Sequence, residues 1–231
     1  MSEKTTGQLQ GRIALITGAS RGLGAAVATA FAKQGAHVIL LARGIKGLEE
    51  TDDKIQAAGG KATLIPFDLS KTDSIAAIGQ AIAEKFGKLD ILVGNAAILG
   101  ALSPVAHSDP KIWKQVFDIN FFANVHLVRA LDPLLRTSDA GRVIFTTSGA
   151  ARANGPYWGP YAASKAALES MAAAYGAEVA YSPLRVHVVD PGVLRTELRA
   201  EAFPGENPDT LPSPETAAEQ FVALAALQVQ K

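Results

Sequence analysis

Short apolar runs rich in β-branched residues alternate along the chain with longer, alanine-rich stretches whose apolar positions recur at helical spacing. The runs predict strands at Arg12 to Thr17, His37 to Leu41, Ala62 to Pro66, Ile91 to Val93, Arg142 to Thr147 and Arg185 to Val189. The stretches between them predict helices over Leu23 to Gln34, Gly44 to Ala58, Lys71 to Phe86, Pro110 to Arg136, Tyr161 to Tyr181 and Pro214 to Gln228. Such alternation builds βαβ units around a parallel sheet buried on both faces. Right-handed crossovers then force a three-layer, doubly wound α/β fold. Ligands of such sheets bind beyond the carboxyl ends of the strands, so residues just past each strand become the candidates for chemistry.

A length of 231 residues suits one domain spanning 1–231 with a sizeable core. Lys plus Arg balances Asp plus Glu at 22 each, which argues against nucleic acid or a membrane surface as partner. The absence of cysteine excludes disulfides and thiolate metal sites. The first seven residues are polar and no later run is long enough to span a bilayer, so the cytoplasm is the expected compartment. The four histidines, His37, His107, His126 and His187, lack metal-site spacing and are taken as structural, with no metal expected. The stretch from Arg199 to Pro214 is too rich in Pro and Gly for a simple helix. A substrate lid over 194–213 is the expectation there, with an ordinary connection as the alternative.

Candidate chemistry centres on Tyr161-Ala-Ala-Ser-Lys165, with Ser148 thirteen residues upstream at the end of a strand run. On a helix, Tyr161 and Lys165 share one face. A phenol with an ordinary pKa of about 10 trades protons at neutral pH only where a positive charge favours its phenolate, and Lys165 can be that charge. With Ser148 binding the substrate oxygen, the trio suits carbonyl and alcohol interconversion.

After the first strand comes Thr17-Gly18-Ala19-Ser20-Arg21-Gly22-Leu23-Gly24, opening a helix. Gly18 permits a tight turn, Gly22 lets backbone approach a phosphate, and Gly24 allows close packing of helix on strand. The context of strand, glycine loop and helix supports a dinucleotide diphosphate site.

The Gly-x3-Gly-x-Gly spacing, with Tyr161-x3-Lys165 and Ser148, resembles the short-chain dehydrogenase/reductase family in its single-domain, non-extended branch, and the likeness is greatest to an uncharacterised bacterial oxidoreductase subgroup. The resemblance implies a Rossmann fold and hydride transfer between a nicotinamide and a secondary alcohol or carbonyl. It implies that Ser20, Arg21 and Leu23 join the three glycines as cofactor contacts, that Asp68-Leu69 meets the adenine, and that Asn95 follows the fourth strand as a further contact. Pro191, Gly192, Val193 and Thr196 match the family's Pro-Gly-x3-Thr, which lies along nicotinamide and diphosphate. The same resemblance makes Tyr161 the acid or base, has Lys165 lower its pKa and hold the nicotinamide ribose, and gives Asn120 a backbone-held water that connects Lys165 to solvent. Ser148 orients and polarises the substrate oxygen.

The second strand ends in Leu41-Ala42-Arg43 with no acidic residue, and Arg21 adds a second cation, so NADP(H) is expected over NAD(H). Two departures stand out. Gly94-Asn95-Ala96-Ala97 replaces the family's Asn-Asn-Ala-Gly, and the chain ends at Lys231 after one helix, so six strands are expected, with a seventh only if the chain continues. Pocket loops are expected at Ile98 to Ser108, Gly149 to Trp158 and Leu194 to Leu211. These contribute Leu99, Trp158 and Phe203 beside Arg152, Arg195 and Arg199, with Tyr157 as a wall. That mixture leaves open an acyl ketone, such as a 3-oxoacyl thioester, or an anionic carbonyl compound. The alanine-rich helix from Tyr161 matches the one through which family members dimerise, so a homodimer is expected, with a tetramer as the larger assembly. The rival reading is a sensor or scaffold that binds NADP(H) without turnover.

Overall fold

Along the central strands successive side chains enter opposite halves of the core, and this two-sided burial is why the strands read as unbroken apolar runs. The computed structural model describes residues 7–153 and 155–227. Among these residues the strands are β1 (Ile13–Thr17), β2 (His37–Ala42), β3 (Lys61–Pro66), β4 (Ile91–Gly94), β5 (Arg142–Thr146) and β6 (Arg185–Val189). They form one sheet of order β3-β2-β1-β4-β5-β6, with every neighbouring pair parallel. The order reverses between β1 and β4, so a crevice opens at their carboxyl ends.

The helices are α1 (Gly22–Lys33), α2 (Ile45–Ala57), α3 (Ala76–Phe86), α4 (Pro110–Phe117), α5 (Ala123–Arg136), α6 (Ala150–Ala153), α7 (Gly159–Glu178), α8 (Glu197–Ala202) and α9 (Pro214–Ala226). On one face, Ala14, Ile16, Val38, Leu40, Ile91 and Val93 pack with Val27, Phe31 and Phe221 from α1 and α9. On the other, Leu15, Ile39, Leu92, Val143 and Phe145 pack with Ile78, Leu127, Leu131 and Leu168 from α3, α5 and α7. This is the three-layer, doubly wound Rossmann arrangement expected from the sequence.

Four helix expectations change in detail. The segment starting at Lys71 is a 3₁₀ turn at Thr72–Ser74 followed by α3. The long helix over 110–136 is interrupted by a π turn at Asp118–Phe122, which carries Asn120. α7 ends at Glu178, before the fully exposed Tyr181. The irregular stretch after β6 contains α8, capped by the Thr196 hydroxyl, which accepts from the Arg199 N–H at 3.2 Å. The expected last helical residue, Gln228, lies outside the described residues, as do the first six residues of the polar N-terminus. No helix of the described residues is long and apolar enough to cross a membrane.

Candidate active site

The crevice is a cleft of about 1510 Å³, more than a single drug-sized ligand fills. All the expected cofactor residues line it: Gly18, Ser20, Arg21, Gly22, Leu23, Gly24, Arg43, Asp68, Leu69, Asn95, Tyr161, Lys165, Pro191, Gly192, Val193 and Thr196. Gly18 turns the chain at φ 67°, and a Cβ on Gly24 would sit 2.2 Å from the Gly18 carbonyl oxygen. Only glycine therefore lets α1 start this close to β1. Arg21, the N-cap of α1, is extended and makes no side-chain capping bond, so the first turn's N–H groups are left to face the cleft. The Thr17 hydroxyl, donating to the Val93 carbonyl at 3.2 Å, accepts from the N–H groups of Asn95 and Ala96, while the Asn95 amide donates to the Thr17 carbonyl at 3.0 Å. Asn95 thus ties β1 to β4 and leaves the cleft floor fixed.

Charge at the adenine end differs from expectation in one respect. Arg21 lines the cleft as expected and is ion-paired there with Glu197 of α8, a non-local partner that no spacing rule reveals. Lys46, at the start of α2, lines the cleft beside Arg43; neither forms a salt bridge among the described residues, although Arg43 acts on Asp68 through space. Lys46 was missed because it lies outside the glycine loop; its position three residues past Arg43, at the amino end of the next helix, was the available signal. Asp68 is held below the usual carboxylate range, first by the Ser70 backbone N–H and also by Arg43.

At the opposite end, β5 delivers Ser148 and α7 delivers Tyr161 and Lys165 to the cleft floor. Lys165 is 2% exposed, and its ammonium donates to the Thr146 carbonyl at 2.7 Å. Burial alone pulls its pKa down to about 8. The Tyr161 phenol is held above its ordinary value, first by burial, with the Ser148 hydroxyl pulling it down and the Asp190 carboxylate pushing it up. The expectation that Lys165 depresses the phenol's pKa is therefore not met by the protein alone. Lys165 Nζ lies 5.9 Å from the Tyr161 ring centroid and is committed to the Thr146 carbonyl.

Asn120 is fully buried behind the cleft rather than lining it. Its side chain accepts from the Ile98 N–H at 2.9 Å and donates to the Ile98 carbonyl and the Ser164 hydroxyl, each at 3.0 Å. Ser164 in turn donates to the Tyr161 carbonyl at 2.7 Å. The Asn120 main-chain carbonyl, which the resemblance links to a water, accepts from the Asn124 side-chain amide at 2.9 Å. Asn124 also accounts for the altered tetrapeptide. A Cβ on Gly94 would lie 2.4 Å from Asn124 Oδ1 and 2.6 Å from Phe145, so an asparagine at position 94 has no room.

The substrate end also departs from expectation. Leu99 is buried away from the cleft, and Tyr157, at φ 73° and 55% exposed, points out of it. Neither is a pocket wall, because the turn before α7 turns Tyr157 outward and leaves Trp158 facing in. Trp158 meets the Tyr161 ring edge-on at 5.9 Å, and Phe203, expected in the pocket, packs on Trp158 at 5.8 Å without lining the cleft itself. Of the three arginines expected there, Arg199 alone reaches the cleft. Arg152 bridges Glu169 at 2.5 Å and Asp190 at 3.2 Å, and Arg195 pairs with Asp209 at 3.4 Å.

The family pattern described as short chain dehydrogenase matches residues 12–207. The uncharacterised oxidoreductase YciK of Escherichia coli (strain K12) is 37% identical over 209 residues, 89% of this chain and 82% of that protein. A short chain dehydrogenase from Shigella flexneri 2a str. 301, solved in complex with NADP, superposes with a TM-score of 0.92 at 36% identity, covering 96% of this chain and 93% of that one. Another from Escherichia coli CFT073, solved with NADPH, gives 0.90 at 36% identity over the same shares. The spacing of the glycine loop, the order of the strands and the likeness to these proteins lead to one conclusion: the chain belongs to the short chain dehydrogenase family and is an oxidoreductase.

Proposed function

We propose that the protein is an NADP(H)-dependent oxidoreductase interconverting a small-molecule carbonyl compound and its secondary alcohol, with Tyr161 as general acid or base. The reading is carried by Tyr161, Ser148 and a buried, tethered Lys165 meeting at one end of a cleft whose other end has free phosphate-directed N–H groups. The glycine cradle, in which a Cβ at Gly24 has no space, fits a diphosphate against α1. Arg43 and Lys46 fit a 2′-phosphate at the end of β2, and two relatives were solved with NADP or NADPH.

When bound, the nicotinamide supplies the hydride. Ser148 orients the carbonyl oxygen, and Tyr161 gives that oxygen its proton as the carbon is reduced. Oxidation runs the proton the other way, with Tyr161 as base. Burial keeps the phenol protonated at neutral pH, the form that donates, while giving it up depends on a positive charge to favour the phenolate. Lys165 provides the positive charge that the phenolate needs once formed, and Asn120 holds Tyr161 in register through Ser164. The segment 194–213, containing α8, closes over the substrate as a lid on the single domain 1–231. A homodimer through α5 and α7 and a cytoplasmic location complete the proposal. A 3-oxoacyl thioester is the leading specific substrate.

The test is loss of NADPH absorbance across a panel of ketones, with Tyr161→Phe as control. Turnover abolished in the variant while NADPH still binds is the expected result. Binding without turnover on every substrate points instead to a sensor or scaffold.

A further inference from the structure

The proposed function leaves open whether the reacting compound carries a negative charge. Three arginines in the surrounding loops invite that reading, and each is already neutralised. Arg152 and Arg195 are turned out of the cleft onto their own carboxylates. Arg199 does line the cleft, but its guanidinium is gripped on two sides by Glu206, with Nε to Oε2 at 2.6 Å and Nη2 to Oε1 at 2.7 Å. Its flat face also lies over the Phe203 ring, with Cζ 3.7 Å from the centroid.

A bidentate, stacked guanidinium is fixed in orientation, and its charge is cancelled seven residues along the same segment. An incoming carboxylate therefore meets a neutral pair, and the cleft also carries the carboxylates of Glu201 and Asp190, which disfavour a further anion. Much of the remaining wall is apolar, with Ile98, Ile112, Ile119, Trp158, Leu198 and Ala202, and its polar members include Gln115 and the anionic Asp190. Desolvating an unpaired anion against such a surface costs far more than burying a hydrocarbon or aryl group.

We propose that the part of the substrate next to the reacting carbonyl is uncharged and apolar or aromatic, as in the acyl chain of a 3-oxoacyl thioester or in an aryl ketone, and that the Arg199 and Glu206 pair stacked on Phe203 is the element that selects against a carboxylate there. The proposal rests on the reductase reading above. Glu206 is its switch: with that carboxylate gone, Arg199 becomes an open anion receptor on the same wall.

The experiment compares 4-oxo-4-phenylbutanoate with its methyl ester, using full-length protein and NADPH near neutral pH. In the wild type kcat/KM favours the ester. Glu206→Gln shifts the acid-to-ester ratio toward the acid by about tenfold or more, mainly through the KM of the acid, as expected for one charge-assisted contact. Arg199→Gln shifts the ratio the other way, because Glu206 is left bare. Structural damage alone depresses both compounds in both variants and cannot produce opposite signs. A wild type that prefers the acid, or a ratio unmoved in both variants, overturns the proposal. The same ratio is read without turnover from quenching of bound NADPH fluorescence by each compound. Failure to turn over either ketone therefore counts against the reductase reading, while the binding ratio still decides the selectivity.

Discussion

The ammonium of Lys165 is bonded to the carbonyl of Thr146 at 2.7 Å, so the one buried lysine near the cleft floor is anchored by β5 rather than by the phenol it was expected to serve. Placing that group on a strand end makes its position independent of whether Tyr161 is protonated. Its charge is nevertheless costly to bury, and the cost is visible in its pKa of about 8 against an ordinary 10.5.

That shift carries a sign. Between about pH 8 and 10.5 the unfolded chain binds more protons at this lysine than the folded protein does, so stability from this group rises with pH across that window. Below it the full penalty is present, on the order of 3 kcal/mol. The cofactor-free Lys165→Met variant is expected to unfold at a higher temperature than the wild type at pH 7, with the gap closing toward pH 10. Thermal melts of both proteins over that range check it, and a gap that stays constant with pH contradicts it.

Tyr161→Phe keeps the ring that packs edge-on against Trp158 and removes only the proton-bearing oxygen. Turnover is expected to fall by at least about a hundredfold with NADPH affinity and melting temperature little changed. Steady-state kinetics beside a cofactor titration separates this from a packing defect.

The Asp190 carboxylate pushes the phenol's pKa up, and Arg152 is the cation bonded to it. Other charges around Tyr161 are Lys165 and Glu169 on its own helix, with Arg199 and Glu206 beyond Trp158. Removing Arg152 unmasks Asp190, so Arg152→Gln moves the rising limb of the alcohol-oxidation profile to higher pH. Asp190→Asn moves it lower, since it removes the repulsion. Profiles of kcat against pH for the two variants should bracket the wild type; shifts of the same sign contradict the assignment.

Arg43 and Lys46 flank the end of β2 and form no salt bridge among the described residues. Arg43→Ala should raise the KM for NADPH about tenfold or more and leave that for NADH nearly unchanged, with the difference shrinking in high salt. Arg21→Ala should do less, because Arg21 is paired with Glu197.

Gly94→Asn restores the residue usual in the family and should still destabilise this chain, by about 1–3 kcal/mol, because Asn124 and Phe145 occupy the space. Adding Asn124→Gly should recover part of the loss, which denaturant titration of the single and double variants measures.

The parts of this molecule that follow from local pattern were legible in the chain. Apolar runs such as Ile13–Thr17 and His37–Ala42 announce themselves because both faces are buried, and the loop from Gly18 to Gly24 can only turn as it does. What stayed hidden depends on distant partners. The π turn at Asp118–Phe122 has no sequence punctuation; it accompanies the Asn120 amide being drawn to Ile98 and Ser164. The pairing of Arg21 with Glu197 and of Arg152 with Asp190 joins segments far apart in the chain, and the outward turn of Tyr157 is a matter of one backbone angle.

The bonds from Asn120 to Ile98 and through Ser164 to Tyr161 join β4's exit loop to α7 beneath the cleft, while Trp158, α8 and the loop after Ile98 stand above it. This divides the cleft into a hydrogen-bonded base, where the proposed proton transfer would take place, and a set of walls that would face the proposed substrate. Trp158 packs on the Tyr161 ring, so a change there reaches the base, whereas α8 can vary its side chains while the bonds from Asn120 to Tyr161 stay in place.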